Sequence, residues 1–349
     1  MIIITYFRSS SYNTHDMCEQ QYLFDYVLGY KGPSNKKADK GTIVHKALEI
    51  LAFIKYTEQQ GENTFEDDII GEVNIHDYDL DKIILDVYTY YTSMFNHHKW
   101  TSTDYKDCHK WTYKAIEYGD GLFDPRNRNI LYPEQRFDIP INKSWSKFSY
   151  DHNGEKLEGN LSLKGTIDLI VRPNDNTAEI IDWKTGRRLN WATGEEKTQE
   201  KLEQDPQLML YYYAVQHLYP EIENCIVTIF FINDGGPFSV AFGKKDLARM
   251  EDLLRRKFDK IKKTKIPRLS KSWKCTKLCH YGKTDFQDID TITPMIEYRD
   301  GQVCKKGDFM TKCEQVHHDL QVKGMKNVVD EYTVPGYNVG YYKPPGSAE

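Results

Sequence analysis

Two acids and a lysine stand in neighbouring stretches near the middle of the chain. Asp168 lies in Gly165-Thr166-Ile167-Asp168-Leu169-Ile170. Asp182 and Lys184 lie in Glu179-Ile180-Ile181-Asp182-Trp183-Lys184-Thr185-Gly186. Both stretches are apolar and β-branched and read as strands, with Pro173-Asn174-Asp175-Asn176 as the turn between them. Residues two apart on a strand face one side, so Asp182 and Lys184 project together while Ile181 and Trp183 face the other way. If the strands pair through that turn, Asp168 comes beside Asp182. Two carboxylates make a hard-oxygen site for Mg²⁺ or Mn²⁺, with the Trp183 backbone carbonyl as a further ligand. Such a metal polarises a phosphate and lowers the pKa of a bound water. The Lys184 ammonium is then placed to orient that water or to stabilise charge developing on the phosphorus. Spacing alone leaves open an ordinary ion-paired group at a strand end.

The elements that must position these groups follow from periodicity. Aromatic and aliphatic residues at helical spacing predict a helix from Cys18 to Gly29. A basic loop spans Lys31 to Lys40. A second helix runs from Gly41 to about Gln59, with Val44, Leu48, Leu51 and Ala52 on one face. Residues 61–125 read as a helical insertion, with Leu80, Ile83, Ile84, Val87, Tyr91 and Phe95 at three-four spacing, closed by the Gly- and Pro-containing loop 119–125. From about Leu131 the period changes to two. Strands are expected over Glu134–Ile141, Leu161–Val171 and Thr177–Lys184. Asp205-Pro206 opens a helix over Gln207–Leu218. A buried strand follows at Cys225–Ile232, then a charged helix at Asp246–Lys265. This order predicts an α/β protein: a mixed-sheet core flanked by helices, with a helical insertion and a Cys-containing C-terminal segment. The expected boundaries are 1–60, 61–125, 126–265 and 266–349.

The 349 residues include 25 Tyr, 15 Phe and 6 Trp, too aromatic a composition for a disordered chain. Net charge is −5, so any surface for nucleic acid must be local. Arg255 to Lys277 is such a place. It holds eleven basic residues, among them Arg255, Arg256, Lys262, Lys263, Lys265 and Arg268, against the single acid Asp259, a segment charge of +10. A focused cationic run attracts phosphates, and Trp273 and Tyr281 beside it could stack on unpaired bases. A solvated helix face is the alternative. No apolar run approaches the roughly 20 residues of a membrane span, and the apolar start lacks a basic region before it. The expectation is a cytoplasmic protein. Seven scattered cysteines argue against a secreted disulfide scaffold and leave metal binding open.

Asp168 followed by Asp182-Trp183-Lys184-Thr185-Gly186 resembles the core signature of the PD-(D/E)XK nuclease superfamily. Gly41-Thr42-Ile43-Val44-His45 resembles the helical Gly-x-x-x-His motif of its RecB-like branch, and Gln207-Leu208-Met209-Leu210-Tyr211 resembles that branch's Gln-x-x-x-Tyr motif. Ser9-Ser10-Ser11 with Cys18, Tyr22 and Phe24 resembles its N-terminal segment. The resemblance covers roughly residues 9–230 in order. It implies a restriction-endonuclease-like core and a metal-dependent DNA exonuclease acting on single strands or ends, in recombination, repair or replication. By the same resemblance His45, Asp168 and Asp182 hold Mg²⁺ or Mn²⁺, Lys184 is catalytic, and Gln207 and Tyr211 support the site or touch DNA. Glu134, on the preceding strand, supports the metal through water or is a surface residue. A non-catalytic DNA-binding recombination partner with this fold, or a restriction-type endonuclease, is the alternative. The Gly-x-x-x-x-Gly-Lys-Ser/Thr loop of helicases does not occur, which implies a nuclease that stands alone or is fed by a helicase or recombinase partner. The family resemblance would place this cytoplasmic protein in a prokaryote or a phage-infected cell.

The tail carries Cys275-Thr276-Lys277-Leu278-Cys279, then Cys304 and Cys313. A subset of RecB-like nucleases, the AddB type and CRISPR-associated exonucleases among them, pins its C-terminal segment to the N-terminal helix through a four-iron, four-sulfur cluster. Here the implied ligands are Cys18, Cys275, Cys279 and Cys313, with Cys304 as the alternative fourth. The departure is the missing Cys soon after the pair. A zinc site of Cys275, Cys279, Cys304 and Cys313, or free thiols, are the alternatives. Cys108 and Cys225 read as buried apolar residues.

Overall fold

A computed structural model describes residues 2–30, 32, 34–152, 155–189, 194–270, 272–277, 279–282, 297–298, 302–303 and 311–337. In chain order the elements are β1 (Tyr6–Phe7), α1 (Ser9–Met17), α2 (Glu19–Tyr22) continuing as a π-helical stretch Leu23–Leu28, α3 (Lys36–Gln59), β2 (Thr64–Asp67), β3 (Gly71–Asn74), α4 (Leu80–Met94) and α5 (Ser102–Ile116). Then come β4 (Ile130–Pro140), β5 (Lys147–His152), β6 (Glu155–Asn160), β7 (Ser162–Asn174), β8 (Thr177–Lys184), α6 (Gln199–Leu202), α7 (Pro206–Leu218), β9 (Asn224–Phe231) and β10 (Gly236–Gly243). The last are α8 (Leu247–Lys263), α9 (Trp273–Lys277), β11 (Glu297–Tyr298), β12 (Gln302–Val303) and α10 (Lys312–Tyr332). Among the described residues no helix is long and apolar enough to cross a membrane.

The chain forms two compact units, residues 1–33, 139–164 and 251–349 in one, 34–138 and 165–250 in the other. The second unit holds a mixed sheet. β7 and β8 are antiparallel, β8 and β9 parallel, β9 and β10 antiparallel, and β4 also pairs with β7. β8 is central and buried from Ala178 to Trp183, as expected of a strand covered on both faces. Its Ile181 and Trp183 join Leu169, Val171, Phe230 and the α3 residues Ile43, Val44, Leu48 and Leu51 in one apolar core. α7 is buried continuously from Leu208 to Gln216. Sheet and flanking helices make a restriction-endonuclease-like α/β fold.

Two helix starts are fixed locally. Asn35 caps α3 by accepting from the Ala38 N–H at 3.0 Å. Asp205 caps α7 by accepting from the Gln207 N–H at 2.9 Å, with Pro206 at the first helical position. The stretch 61–125 carries, besides α4 and α5, the β2–β3 hairpin that the helical reading did not include.

In the first unit, β1 pairs in parallel with the start of β7, Tyr6 opposite Ser162, and β5–β6 form a hairpin. The expected helix from residue 18 to 29 is instead two pieces. Cys18 is extended (φ −159°) and caps α2, and the π-helical stretch ends at Gly29 with φ 81°. Tyr281 stacks on Phe24 with ring centroids 4.4 Å apart and donates its hydroxyl to Asp25 at 2.7 Å.

Candidate active site

The last ladder pair of β7 and β8 before the acids is Leu169 opposite Ile181. Beyond it the Trp183 backbone N–H donates to Asp168 Oδ2 at 3.0 Å. A side-chain carboxylate thus takes up a strand amide, and the two strand ends are held at the spacing the acids need. The Trp183 indole is buried in the core.

Asp182 is fully buried. α7 supplies two donors to its Oδ1, the Tyr211 hydroxyl at 3.0 Å and Gln207 Nε2 at 3.3 Å. These residues are one helical turn apart and share a face, and Gln207 Nε2 also lies 3.1 Å from the Tyr211 oxygen. Asp182 Oδ2 meets no hydrogen-bond donor in good geometry, and the Lys184 ammonium lies 2.5 Å from it. From α3, His45 Nδ1 comes within 3.3 Å of Asp168 Oδ2. His45, Asp168, Asp182, Lys184, Gln207 and Tyr211 are therefore brought together.

Glu134 joins them electrostatically. Burial pushes its carboxyl up to about 9, with the charges of Asp168 and Glu49 adding to the rise. It sits in β4 with φ 46°, a left-handed conformation rare for a side-chain-bearing residue and common where a site imposes strain. Burial likewise raises Asp168, reinforced by Asp182 and opposed by His45. For Lys184 burial works against the ammonium, but Asp182 and Asp168 outweigh it and hold the group above the ordinary lysine value. Burial and the same two acids push the Tyr211 hydroxyl well above its usual range. It stays protonated and stays a donor.

The cluster has more acids than free cations. Lys46 is committed to Glu49 and Asp67, at 2.8 Å from each. Buried like charges of this kind are relieved by protonation or by a cation. Asp182 Oδ2, which meets only the Lys184 ammonium, the Asp168 carboxylate and the His45 imidazole are donor types that suit a divalent ion.

Glu49, one turn after His45 on α3, was not singled out from sequence, although that spacing puts it on the same face. Nor was the reason for Gly41. A Cβ there would lie 2.7 Å from Thr185 Oγ1, so α3 approaches the segment after Lys184 at a distance only glycine permits.

In the first unit Cys18, Cys275, Cys279 and Cys313 line one cavity of about 100 Å³, together with Met17, Phe24 and Tyr281. All four are free thiols. Burial raises both Cys279 and Cys313. Four thiols lining one cavity are the donor type for zinc or an iron–sulfur cluster. Cys304 lies outside the described residues. Cys108 and Cys225 are fully buried.

The basic run divides. Arg255, Arg256, Lys263, Lys265 and Arg268 are exposed and Lys262 is half-buried. Arg255 and Arg256 pair with Asp252 at 2.7 and 2.9 Å, and Arg268 pairs with Glu19 at 3.0 Å. Lys262 donates to the Lys147 carbonyl at 3.1 Å.

No curated protein matches the chain. The family model described as the PD-(D/E)XK nuclease superfamily matches residues 9–283, well over half of the chain and the whole of the second unit. That span holds the converging acids, lysine and imidazole, and the chain belongs to the PD-(D/E)XK nuclease superfamily.

Proposed function

We propose that this nuclease is a metal-dependent DNA exonuclease of the RecB-like type, acting on single strands or ends. The observation that carries the reading is the meeting of partly exposed His45, Asp168 and Lys184 beside the buried Asp182. His45, Asp168, Asp182 and the Trp183 carbonyl hold Mg²⁺ or Mn²⁺, which supplies Lewis acidity and an acidified water. Lys184 orients the attacking water toward the phosphorus and stabilises the charge that builds on the phosphate oxygens. Gln207 and Tyr211 fix Asp182, leaving its Oδ2 for ligation. The Trp183 N–H and His45 fix Asp168. Glu134 holds or releases a proton as the local charge changes. The exposed cations of the 255–268 run bind phosphates of the strand.

The preference for ends rests on the ordered His45 and Gln207–Tyr211 motifs, whose side chains reach the acids as the RecB-like pattern implies. A helicase or recombinase partner would feed strands to it in recombination, repair or replication. The four thiols around one cavity support a four-iron, four-sulfur cluster at Cys18, Cys275, Cys279 and Cys313. Iron and acid-labile sulfide in anaerobically purified protein support the cluster, and stoichiometric zinc without iron replaces it by a zinc site.

The test is cleavage of end-labelled linear and of circular single-stranded DNA with Mg²⁺ or Mn²⁺, using wild type, Asp182→Ala and Lys184→Ala. Degradation of linear DNA only, lost in both variants, is expected. Cleavage of circles indicates an endonuclease. Binding without cleavage under every metal indicates a non-catalytic DNA-binding protein.

A further inference from the structure

Asp39 is buried, 2% exposed, yet pairs with no lysine or arginine among the described residues. The lysines beside it on α3 are taken elsewhere: Lys36 by Asp104 at 2.5 Å, Lys40 by Asp107 at 2.7 Å and Asp104 at 3.5 Å. What faces the Asp39 carboxylate is a pair of consecutive imidazoles from the segment after α4. His98 Nε2 lies 2.7 Å and His97 Nε2 3.9 Å from Asp39 Oδ2, and the three ligand atoms all fall within 4.8 Å of one another. Buried carboxylates are paired with a cation or coordinate a metal.

The spacing suits the second. Donors about 2.0–2.1 Å from a tetrahedral ion stand about 3.4 Å from each other, and the two carboxylate–imidazole distances straddle that value. The shell around the donors is ordered. The Ser34 hydroxyl donates to Asp39 Oδ2 at 2.8 Å, and the His98 ring packs edge-on against Trp100 with centroids 5.6 Å apart. Second partners of this kind orient metal ligands. Two imidazoles and one carboxylate are a nitrogen-rich donor set that suits zinc and its neighbours better than Mg²⁺ or Mn²⁺, which the oxygen-rich set of the catalytic acids suits. Asp39 precedes His45 by six residues, about 9 Å along the helix, so these donors are separate from the catalytic acids.

We propose that Asp39, His97 and His98 form a site for a zinc-class ion that ties the start of α3 to the segment after α4. Binding replaces the proton that His98 Nε2 shares with Asp39. The ion takes one carboxylate oxygen and two imidazole nitrogens and leaves its fourth position to water. The site does not depend on the nuclease reading.

The experiment uses the full chain without an affinity tag, stripped by chelator and titrated with Zn²⁺, with bound metal counted after dialysis and Tm followed in parallel. His97→Ala/His98→Ala and Asp39→Asn are each expected to bind one equivalent fewer than wild type and to lose part of the zinc-induced rise in Tm. Cys275→Ser/Cys279→Ser is expected to keep that equivalent. His97→Ala alone, at a half-exposed position that the fold tolerates, is expected to weaken it by about tenfold or more. Unchanged zinc stoichiometry and affinity in the histidine variants overturns the site and leaves Asp39–His98 as a hydrogen-bonded pair.

Discussion

The Tyr211 hydroxyl donates to Asp182 Oδ1 across 3.0 Å, linking the helix after the catalytic hairpin to its most deeply buried acid. One hydrogen bond to a charged group is worth about 1.5–3 kcal/mol. Tyr211→Phe is therefore expected to slow single-turnover cleavage by about ten- to a hundredfold, and saturating Mg²⁺ should recover part of the loss if the bond mainly aligns the ligand. An unchanged rate would show that Gln207 suffices.

On the proposed reading, removal of the Lys184 ammonium acts on the chemistry itself. Lys184→Ala is expected to lower the cleavage rate by about 10²–10³-fold, in the range for deleting one charge-stabilising donor. DNA binding measured in Ca²⁺ should stay near wild type. A comparable loss of binding would make Lys184 a DNA contact instead.

Gly41 tests how α3 delivers His45. Adding a Cβ pushes on Thr185 Oγ1 at 2.7 Å, and overpacking of this kind costs about 1–3 kcal/mol. Gly41→Ala should lower the urea midpoint in wild type. In a Thr185→Ala background the same change should be neutral or favourable, because alanine is the better helix former by about 1 kcal/mol. Equal effects in both backgrounds would rule out the contact as the reason for glycine.

Glu134 sets a pH dependence. In the folded metal-free protein its carboxyl holds a proton up to about 9, against an ordinary value of 4.5. Unfolding then releases that proton, so the folded state binds more protons between these values and stability falls as pH rises through the window. Urea midpoints of metal-free protein are expected to decline from pH 5 to pH 9, less steeply in Glu134→Gln and less steeply with Mg²⁺. A parallel decline in Glu134→Gln would assign the slope to other groups, Asp168 first among them.

Lys263, Lys265 and Arg268 are exposed, and their joint replacement by Gln should weaken binding to single-stranded DNA. The slope of log K against log salt should fall by about 0.7 for each phosphate contact removed. An unchanged slope would show that this run is a solvated face.

The catalytic hairpin was legible because its signals are local. β8 is a short apolar run with the β-branched Thr177, Ile180 and Ile181 after a turn, and it spans Thr177–Lys184 as that reading predicts. The start of α7 announces itself through Asp205-Pro206. Other elements hide. α1 is built of Ser, Asn and Thr, weak helix formers that read as coil. β10 follows Gly235 and opens on Gly236, both with left-handed φ, and the turn masks the strand. The hairpin β2–β3 is acidic and half-exposed, without apolar alternation. At the site, spacing put Asp182 and Lys184 on one face and the family resemblance singled them out with Asp168, whereas Glu49's part in raising Glu134 and the pairing of Asp39 with His97 and His98 depend on contacts far apart in sequence.

The four sulfurs that share a cavity come from position 18 and from positions 275, 279 and 313. Vectorial synthesis therefore builds the protein out of order. The unit that carries the acids has all of its residues once position 250 has emerged from the ribosome, while Cys18 must wait for Cys313. A nascent chain thus has every residue of the acid-bearing unit outside the ribosome before Cys275, Cys279 and Cys313 can reach Cys18.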